Sequence, residues 1–99
     1  MKPNLLQYGN RIIPILKRYQ VPKAAFFGSL VDGKFTPGKS DVDILILPPK
    51  RMSLLDFVGL KQDIEDTIGI GVDLVSYNGI SKYLKSSILA NEHIFYVTS

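Results

Sequence analysis

The hydrophobic residues of this chain recur with helical spacing in three stretches, and each stretch predicts a helix. The first covers residues 5–20 and contains Pro14, which should kink the helix or mark the first turn of a second segment. The second covers residues 53–69, with Ser53 as its N-cap. A last short helix is predicted at residues 80–88.

Short runs rich in valine, isoleucine, leucine and phenylalanine lie between these stretches and predict four strands. The predicted strands cover residues 23–27, 41–47, 72–77 and 93–97, the last of them suited to a sheet edge. Residues 30–40 read as a loop, or a short helix followed by a loop. This order predicts an α+β domain with α/β character. We expect a small mixed sheet of about four strands with helices packed mainly on one face.

The composition of the chain limits the number of domains and the kinds of site that it can contain. The 99 residues suit a single domain spanning 1–99, and 45% of them are hydrophobic. The absence of cysteine excludes disulfides and thiolate metal sites, and the lack of a long apolar run argues against a membrane span. We therefore expect a cytoplasmic protein. The net charge of +3 favours anionic partners such as nucleotides, although scattered lysines on a solvated surface explain it equally well, and no direct nucleic-acid ligand is expected.

The most informative pattern is a pair of acids in an apolar run. Asp41 and Asp43 lie two positions apart in the predicted strand 41–47, so both side chains point to one face. Their Cα atoms should be about 6.6 Å apart, which is two steps of about 3.3 Å. Carboxylates at that spacing can converge on small hard cations such as Mg²⁺. The alternative is a pair of acids at a solvated strand start.

Two further features add to this pattern. Gly28-Ser29 follows the predicted strand 23–27, where a glycine lets the backbone approach an anion closely. Asp73 is a lone acid in the strand 72–77, and it joins the other carboxylates if the two strands are neighbours. Taken singly, these features also fit an ordinary tight turn and a solvated strand-end acid.

Together, these motifs resemble the DNA polymerase beta-like nucleotidyltransferase superfamily, and most closely its minimal nucleotidyltransferase (MNT) branch. The resemblance is carried by Phe27-Gly28-Ser29, by the strand Ser40-Asp41-Val42-Asp43-Ile44-Leu45-Ile46 and by Val72-Asp73-Leu74-Val75. It extends over nearly the whole chain.

The resemblance implies roles for individual residues. Gly28 and Ser29 would hold the triphosphate of ATP. Asp41 and Asp43 would ligate two Mg²⁺ ions, and Asp73 would complete the metal site and accept the proton of the attacking hydroxyl. Beside them, the nucleotide-binding set would include two further residues, Lys39 and Ser40.

The same resemblance implies a function. The chain would transfer AMP from ATP to a hydroxyl of a protein with a helical HEPN domain, as the antitoxin of a toxin–antitoxin pair. Transfer to a small molecule or an RNA end is a further possibility, and a homo-oligomer is also compatible with the sequence.

Two departures from the family pattern motivate a different hypothesis. Asp32 stands where the family often has arginine after the Gly-Ser pair, and the loop before Asp41 is slightly long. Lys34 or Lys39 can supply a positive charge there, but without the bidentate fork of arginine. The alternative function is therefore a non-catalytic module that neutralises a HEPN partner by binding it.

Overall fold

A four-stranded mixed sheet organises the chain, and its strand order is β3-β2-β1-β4. The computed structural model describes residues 5–36 and 38–98. Strand β1 pairs antiparallel with both β2 and β4, whereas β2 and β3 are parallel. The strands are β1 Lys23–Phe27, β2 Val42–Leu47, β3 Val72–Ser76 and β4 His93–Val97. The predicted mixed sheet is confirmed, with β4 at an edge.

The helices also lie close to their predicted positions. They are α1 Leu5–Arg18, α2 Ser29–Asp32, α3 Leu54–Ile68 and α4 Lys82–Asn91. The segment 30–40 thus begins within a short helix and continues as a loop. Strand β3 is one residue shorter than predicted, because Tyr77 begins a 3₁₀ turn that ends at Gly79. None of the helices in the described ranges is long and apolar enough to cross a membrane.

The core lies between one face of the sheet and the helices α1 and α3. Alternate residues of β2 point into it, and all of them are fully buried: Val42, Ile44 and Ile46. They pack with apolar side chains from the two helices, including Ile12, Leu16, Leu60 and Ile64. The predicted placement of the helices mainly on one face is confirmed by this packing.

Helix α1 is a single element through Pro14, so the alternative that this proline starts a second segment is wrong. The helix ends in a Schellman motif. The Val21 N–H donates to the Leu16 carbonyl at 2.9 Å, and the Gln20 N–H donates to the Lys17 carbonyl at 3.1 Å. Gln20 takes the left-handed position usually occupied by glycine, with φ +62°.

Polar contacts join α1 to α3 at the edge of the core. The Arg18 guanidinium is 3.1 Å from an Asp63 carboxylate oxygen, and the Tyr19 hydroxyl donates to the same oxygen at 2.6 Å. Arg11 donates to the Thr67 carbonyl further along the helix pair. The hydrogen bond to Asp63, together with burial, raises the pKa of Tyr19. Tyr19 therefore acts as a protonated donor at neutral pH.

Helix α3 is defined at both ends by local sequence. Ser53 and Asp56 form a reciprocal capping box, each side chain accepting from the backbone N–H of the other at 3.1 Å. At the other end, Gly69 has φ +72° and its N–H donates to the Glu65 carbonyl. These caps fix where α3 begins and where the chain turns towards β3.

Replacing the N-cap of α3 should destabilise the domain. We expect Ser53→Ala to lower the free energy of unfolding by about 1 kcal/mol, because one helix N–H loses its acceptor. Urea denaturation monitored by circular dichroism measures this loss. Ser86→Ala, an exposed change within α4, is the matched control and should leave stability nearly unchanged. Equal stabilities of the two variants would contradict the capping role.

Candidate active site

Asp43 and Asp73 lie side by side on neighbouring parallel strands. They are register partners in the β2–β3 ladder, flanked by the partner pairs Val42–Val72 and Ile44–Leu74. The flanking side chains are all buried in the core, so the two acids emerge together on the opposite face. Strands β2 and β3 are thus neighbours and Asp73 lies next to Asp43, while the role of these acids in a metal site stays a prediction.

The Gly-Ser turn lies on the other side of Asp43. Phe27, the last residue of β1, is the register partner of Asp43, so the turn begins directly beside this carboxylate. The Ser29 backbone N–H donates to the Asp43 carboxylate. Asp43 is therefore the centre of the candidate site, between the turn and Asp73.

Gly28 is required here for two physical reasons. Its φ of +68° and ψ of −144° form a conformation open mainly to glycine. In addition, a Cβ atom at this position would lie 2.1 Å from the Asp43 Oδ2 atom. The close approach of the turn to the carboxylate thus depends on the missing side chain.

Asp41 lies one residue before β2 begins, and its side chain is exposed. The next residue, Val42, donates its N–H to the Gly71 carbonyl at 2.9 Å, which brings the two chain segments together. A Cβ atom on Gly71 would lie 2.6 Å from the Asp41 Oδ1 atom. The carboxylate of Asp41 therefore leans towards the segment that enters β3.

Glu65 is a contributor that sequence reasoning missed. Its carboxylate accepts the Val72 N–H at 2.8 Å and lies 3.5 Å from the Lys61 ammonium. This contact fixes the first residue of β3 next to Asp73. The sequence showed only the helical pair of Lys61 and Glu65, four residues apart on α3; the contact with β3 appears only in the folded chain.

The electrostatics of the site are dominated by negative charge. Burial, followed by the negative charges of Asp73 and Asp41, raises the pKa of Asp43 from 3.8 to about 6. The hydrogen bond from the Ser29 N–H opposes this shift. Within the described ranges, no lysine or arginine forms an ion pair with any of these three acids. Among the described residues, this negative charge therefore has no ion-pair partner.

The donor set suits a hard divalent cation, because carboxylate oxygens are the ligands that Mg²⁺ prefers. In the part of the chain that the structure describes, no three acidic or histidine side chains are yet close enough to hold a metal ion together. Asp43 and Asp73 face each other in the β2–β3 ladder, whereas Asp41 lies one residue before β2. A metal site would thus consist of this pair with Asp41 as a third ligand.

The remaining predicted residues lie in the loop before β2. The Ser40 hydroxyl accepts the Thr36 N–H at 3.0 Å, and the Ser40 N–H donates back to the Thr36 carbonyl at 2.8 Å. Lys39 is exposed in the same turn. The recorded contacts of Ser40 are therefore within its own loop, and its role in nucleotide binding stays a prediction, as does that of Lys39.

A cavity of about 130 Å³ lies next to the Gly-Ser turn. Its walls come from the end of β1, from α2 and from α4, and they comprise Phe27, Gly28, Asp32, Ser87, Ile88 and Asn91. Only Asp32 among these residues carries a charge. Helix α4 therefore forms one side of the space beside the turn.

A mixed sheet that holds carboxylates on adjacent strands beside a Gly-Ser turn is the architecture of a nucleotidyltransferase. The family model described as polymerase beta, nucleotidyltransferase matches residues 10–99, and the chain belongs to that family.

Curated relatives agree with this assignment. A protein of Methanocaldococcus jannaschii, named as a candidate protein adenylyltransferase, is 40% identical over 86 residues, covering 87% of this chain and 91% of the relative. The protein adenylyltransferase MntA of Thermococcus cleftensis is 34% identical over 73 residues, covering 74% of this chain and 73% of the relative. The similarity is therefore to protein adenylyltransferases in particular.

Solved structures share the fold. A structure described as a candidate minimal nucleotidyltransferase superimposes with a TM-score of 0.75 at 27% identity, covering 89% of each chain. A toxin–antitoxin structure with AMP-PNP gives a TM-score of 0.78 at 24% identity, covering 92% of this chain and 74% of the other. A complex of tri-AMPylated Shewanella oneidensis HEPN toxin with MNT antitoxin gives 0.72 at 21% identity, covering 94% and 72%.

The close packing of the Gly-Ser turn can be tested by a double-mutant cycle. Gly28→Ala should destabilise the domain by about 1–3 kcal/mol, because the new methyl group overlaps the Asp43 carboxylate. The penalty should shrink in an Asp43→Ala background, where the overlapping atoms are absent. Gly33→Ala is the control: it also has a positive φ but nothing within 4 Å, so its penalty should not depend on residue 43.

The raised pKa of Asp43 predicts a pH-dependent effect on stability. Between pH 3.8 and about 6, the native state holds a proton that the unfolded state has lost, so the free energy of unfolding falls as the pH rises through this window. Asp43→Asn should therefore be more stable than the wild type well above pH 6, and the difference should vanish below about pH 3.8. Denaturation curves across the pH range measure this effect, and a stability difference that does not change with pH would contradict it.

Proposed function

We propose that this chain transfers AMP from ATP to a hydroxyl group of a partner protein, in a reaction that depends on Mg²⁺. The observation that carries the proposal is the in-register pair Asp43 and Asp73 beside the Gly28-Ser29 turn. Its negative charge has no protein counter-ion within the described ranges, which is the state expected of side chains that bind metal cations.

The residues divide the chemistry between them. Asp41, Asp43 and Asp73 would hold two Mg²⁺ ions, which supply charge neutralisation for the triphosphate and the transition state. The Gly28-Ser29 turn would receive the phosphates through its backbone N–H groups and the Ser29 hydroxyl. Asp43 must be ionised to act as a ligand, which its pKa of about 6 allows at neutral pH.

In the transfer step, the acceptor oxygen forms a bond to the α-phosphorus of ATP. The bond between that phosphorus and the bridging oxygen breaks, and pyrophosphate leaves with that electron pair. Asp73 accepts the proton of the acceptor hydroxyl, because it is exposed at the end of the carboxylate row where an acceptor can approach. The product is a phosphodiester between AMP and the partner protein.

A HEPN-domain protein is the proposed acceptor, and this chain would then be its antitoxin. Support comes from the similarity to protein adenylyltransferases and from the shared fold with MNT antitoxins that occur in complex with HEPN toxins. Because ATP is the proposed substrate, we place the reaction in the cytoplasm.

One observation favours a second candidate, a binding module without turnover. Asp32 takes the place of the family's arginine and lines the cavity beside the Gly-Ser turn, where its charge opposes an approaching triphosphate. In this case the protein would neutralise its partner through complex formation alone.

A transfer assay separates the two candidates. Incubation with ATP labelled in the α-phosphate, Mg²⁺ and a HEPN-domain protein from the same organism should label that protein. Asp43→Asn and Asp73→Asn should each lower the rate at least about 100-fold, because each removes a metal ligand. Asp66→Asn, an exposed change on α3, should retain full activity.

Two outcomes of this assay would contradict the transferase proposal. If the wild type leaves the partner unlabelled while Asp43→Asn still suppresses the partner's toxicity, the transferase proposal fails and the binding module is correct. Equal labelling by the wild type and by Asp43→Asn would show that the Asp43 carboxylate is not needed for AMP transfer.

A further inference from the structure

Helix α4 differs from the other long helices because it contributes no buried residue to the core. Two of its large apolar side chains face solvent: Tyr83 is 86% exposed and Leu84 is 58% exposed. Exposed apolar side chains that belong to a contiguous patch are a common mark of a surface that binds another molecule.

These residues belong to a continuous stripe along α4. Tyr83, Leu84, Ser87, Ile88 and Asn91 recur at helical spacings of three and four residues and so share one face. The second half of the stripe lines the cavity beside Gly28, whereas its first half extends past the cavity into solvent. A molecule lying on the first half would thus be guided towards the candidate active site.

A hydrogen bond between side chains on either side of α4 holds this helix in place, although the helix contributes no buried residue to the core. The Tyr77 hydroxyl, just before α4, donates to the Glu92 carboxylate, just after it, at 2.7 Å. Burial and this hydrogen bond raise the pKa of Tyr77, so it remains a donor. The contact closes the segment from 77 to 92 at its base, and the stripe is presented at a fixed position next to the site.

The charge of α4 indicates the chemistry of its partner. Lys82 and Lys85 flank the exposed half of the stripe, and the helix contains neither aspartate nor glutamate. Complementary potential therefore requires acidic residues on the partner around an apolar groove. A second copy of this chain is less suited, because its α4 would bring the same positive charges into contact.

We propose that the Tyr83–Leu84 half of this stripe is the docking surface for the acceptor protein, which presents an apolar groove bordered by aspartate and glutamate. The proposal rests on the proposed function, since it names the surface through which the same site would recognise its protein substrate. Docking here places the acceptor at the cavity wall shared by α4 and Gly28.

A binding experiment tests the surface independently of catalysis. The affinity of the HEPN-domain protein for Tyr83→Ala/Leu84→Ala should fall at least about tenfold, since exposed aromatic anchors carry much of an interface's binding energy. Leu54→Ala/Leu55→Ala is the matched control, because these side chains are similarly exposed, at 78% and 84%, but follow the far end of β2. Both variants should bind ATP like the wild type.

Charge reversal provides a second measurement. Lys82→Glu/Lys85→Glu should slow association and weaken its dependence on salt. Because binding is measured without turnover, loss of binding in the α4 variants together with an absence of AMP transfer by the wild type would overturn the proposed function but preserve the docking surface. Three results would each overturn the docking proposal. The affinity of Tyr83→Ala/Leu84→Ala could be unchanged, or the α3 control could weaken binding more strongly. The isolated wild-type chain could also form a dimer that Tyr83→Ala/Leu84→Ala abolishes.

Discussion

The parallel register between β2 and β3 is the constraint on which both the core and the candidate site depend. In one row of this ladder Asp43 faces Asp73, and the rows on either side pair Val42 with Val72 and Ile44 with Leu74. Because side chains alternate along a strand, a slip of one residue would turn a carboxylate into the core and a core side chain into solvent. Burial of the apolar rows therefore determines that the acids meet.

This arrangement keeps like charges together at the expense of stability. The pKa of Asp43 is raised to about 6, so its ionised form is less favourable in the folded chain than in the unfolded one. Proteins commonly tolerate such unfavourable contacts where function requires them. Here the compensation comes from the apolar side of the same strands and from the Ser29 N–H that contacts the Asp43 carboxylate.

Local sequence signals predicted most of the fold. The capping residue Ser53, the terminal Gly69 and the alternation around Asp43 are each visible within a few neighbouring residues, and the structure agrees with all three. The prediction that Pro14 could start a second segment was wrong, because a proline can be accommodated on the exposed side of a helix whose other face is firmly packed.

The parts of the site that escaped prediction depend on contacts between distant segments. Glu65 reads as a surface residue of α3 until its hydrogen bond to the Val72 N–H is known. The same applies to the contact between Tyr77 and Glu92, which are fifteen residues apart. Neither pair follows a local periodicity. The sequence therefore indicated that Asp43 and Asp73 lie close together, but not which contacts hold the surrounding segments in place.

The separation of α4 from the core has an evolutionary consequence. Substitutions on the outer surface of a helix that buries nothing usually change the free energy of unfolding by no more than about 0.5 kcal/mol. The strands that hold the acids, in contrast, tolerate little change. If α4 is the docking surface that we propose, its outer face can therefore change partner preference without disturbing the strands that hold the acids.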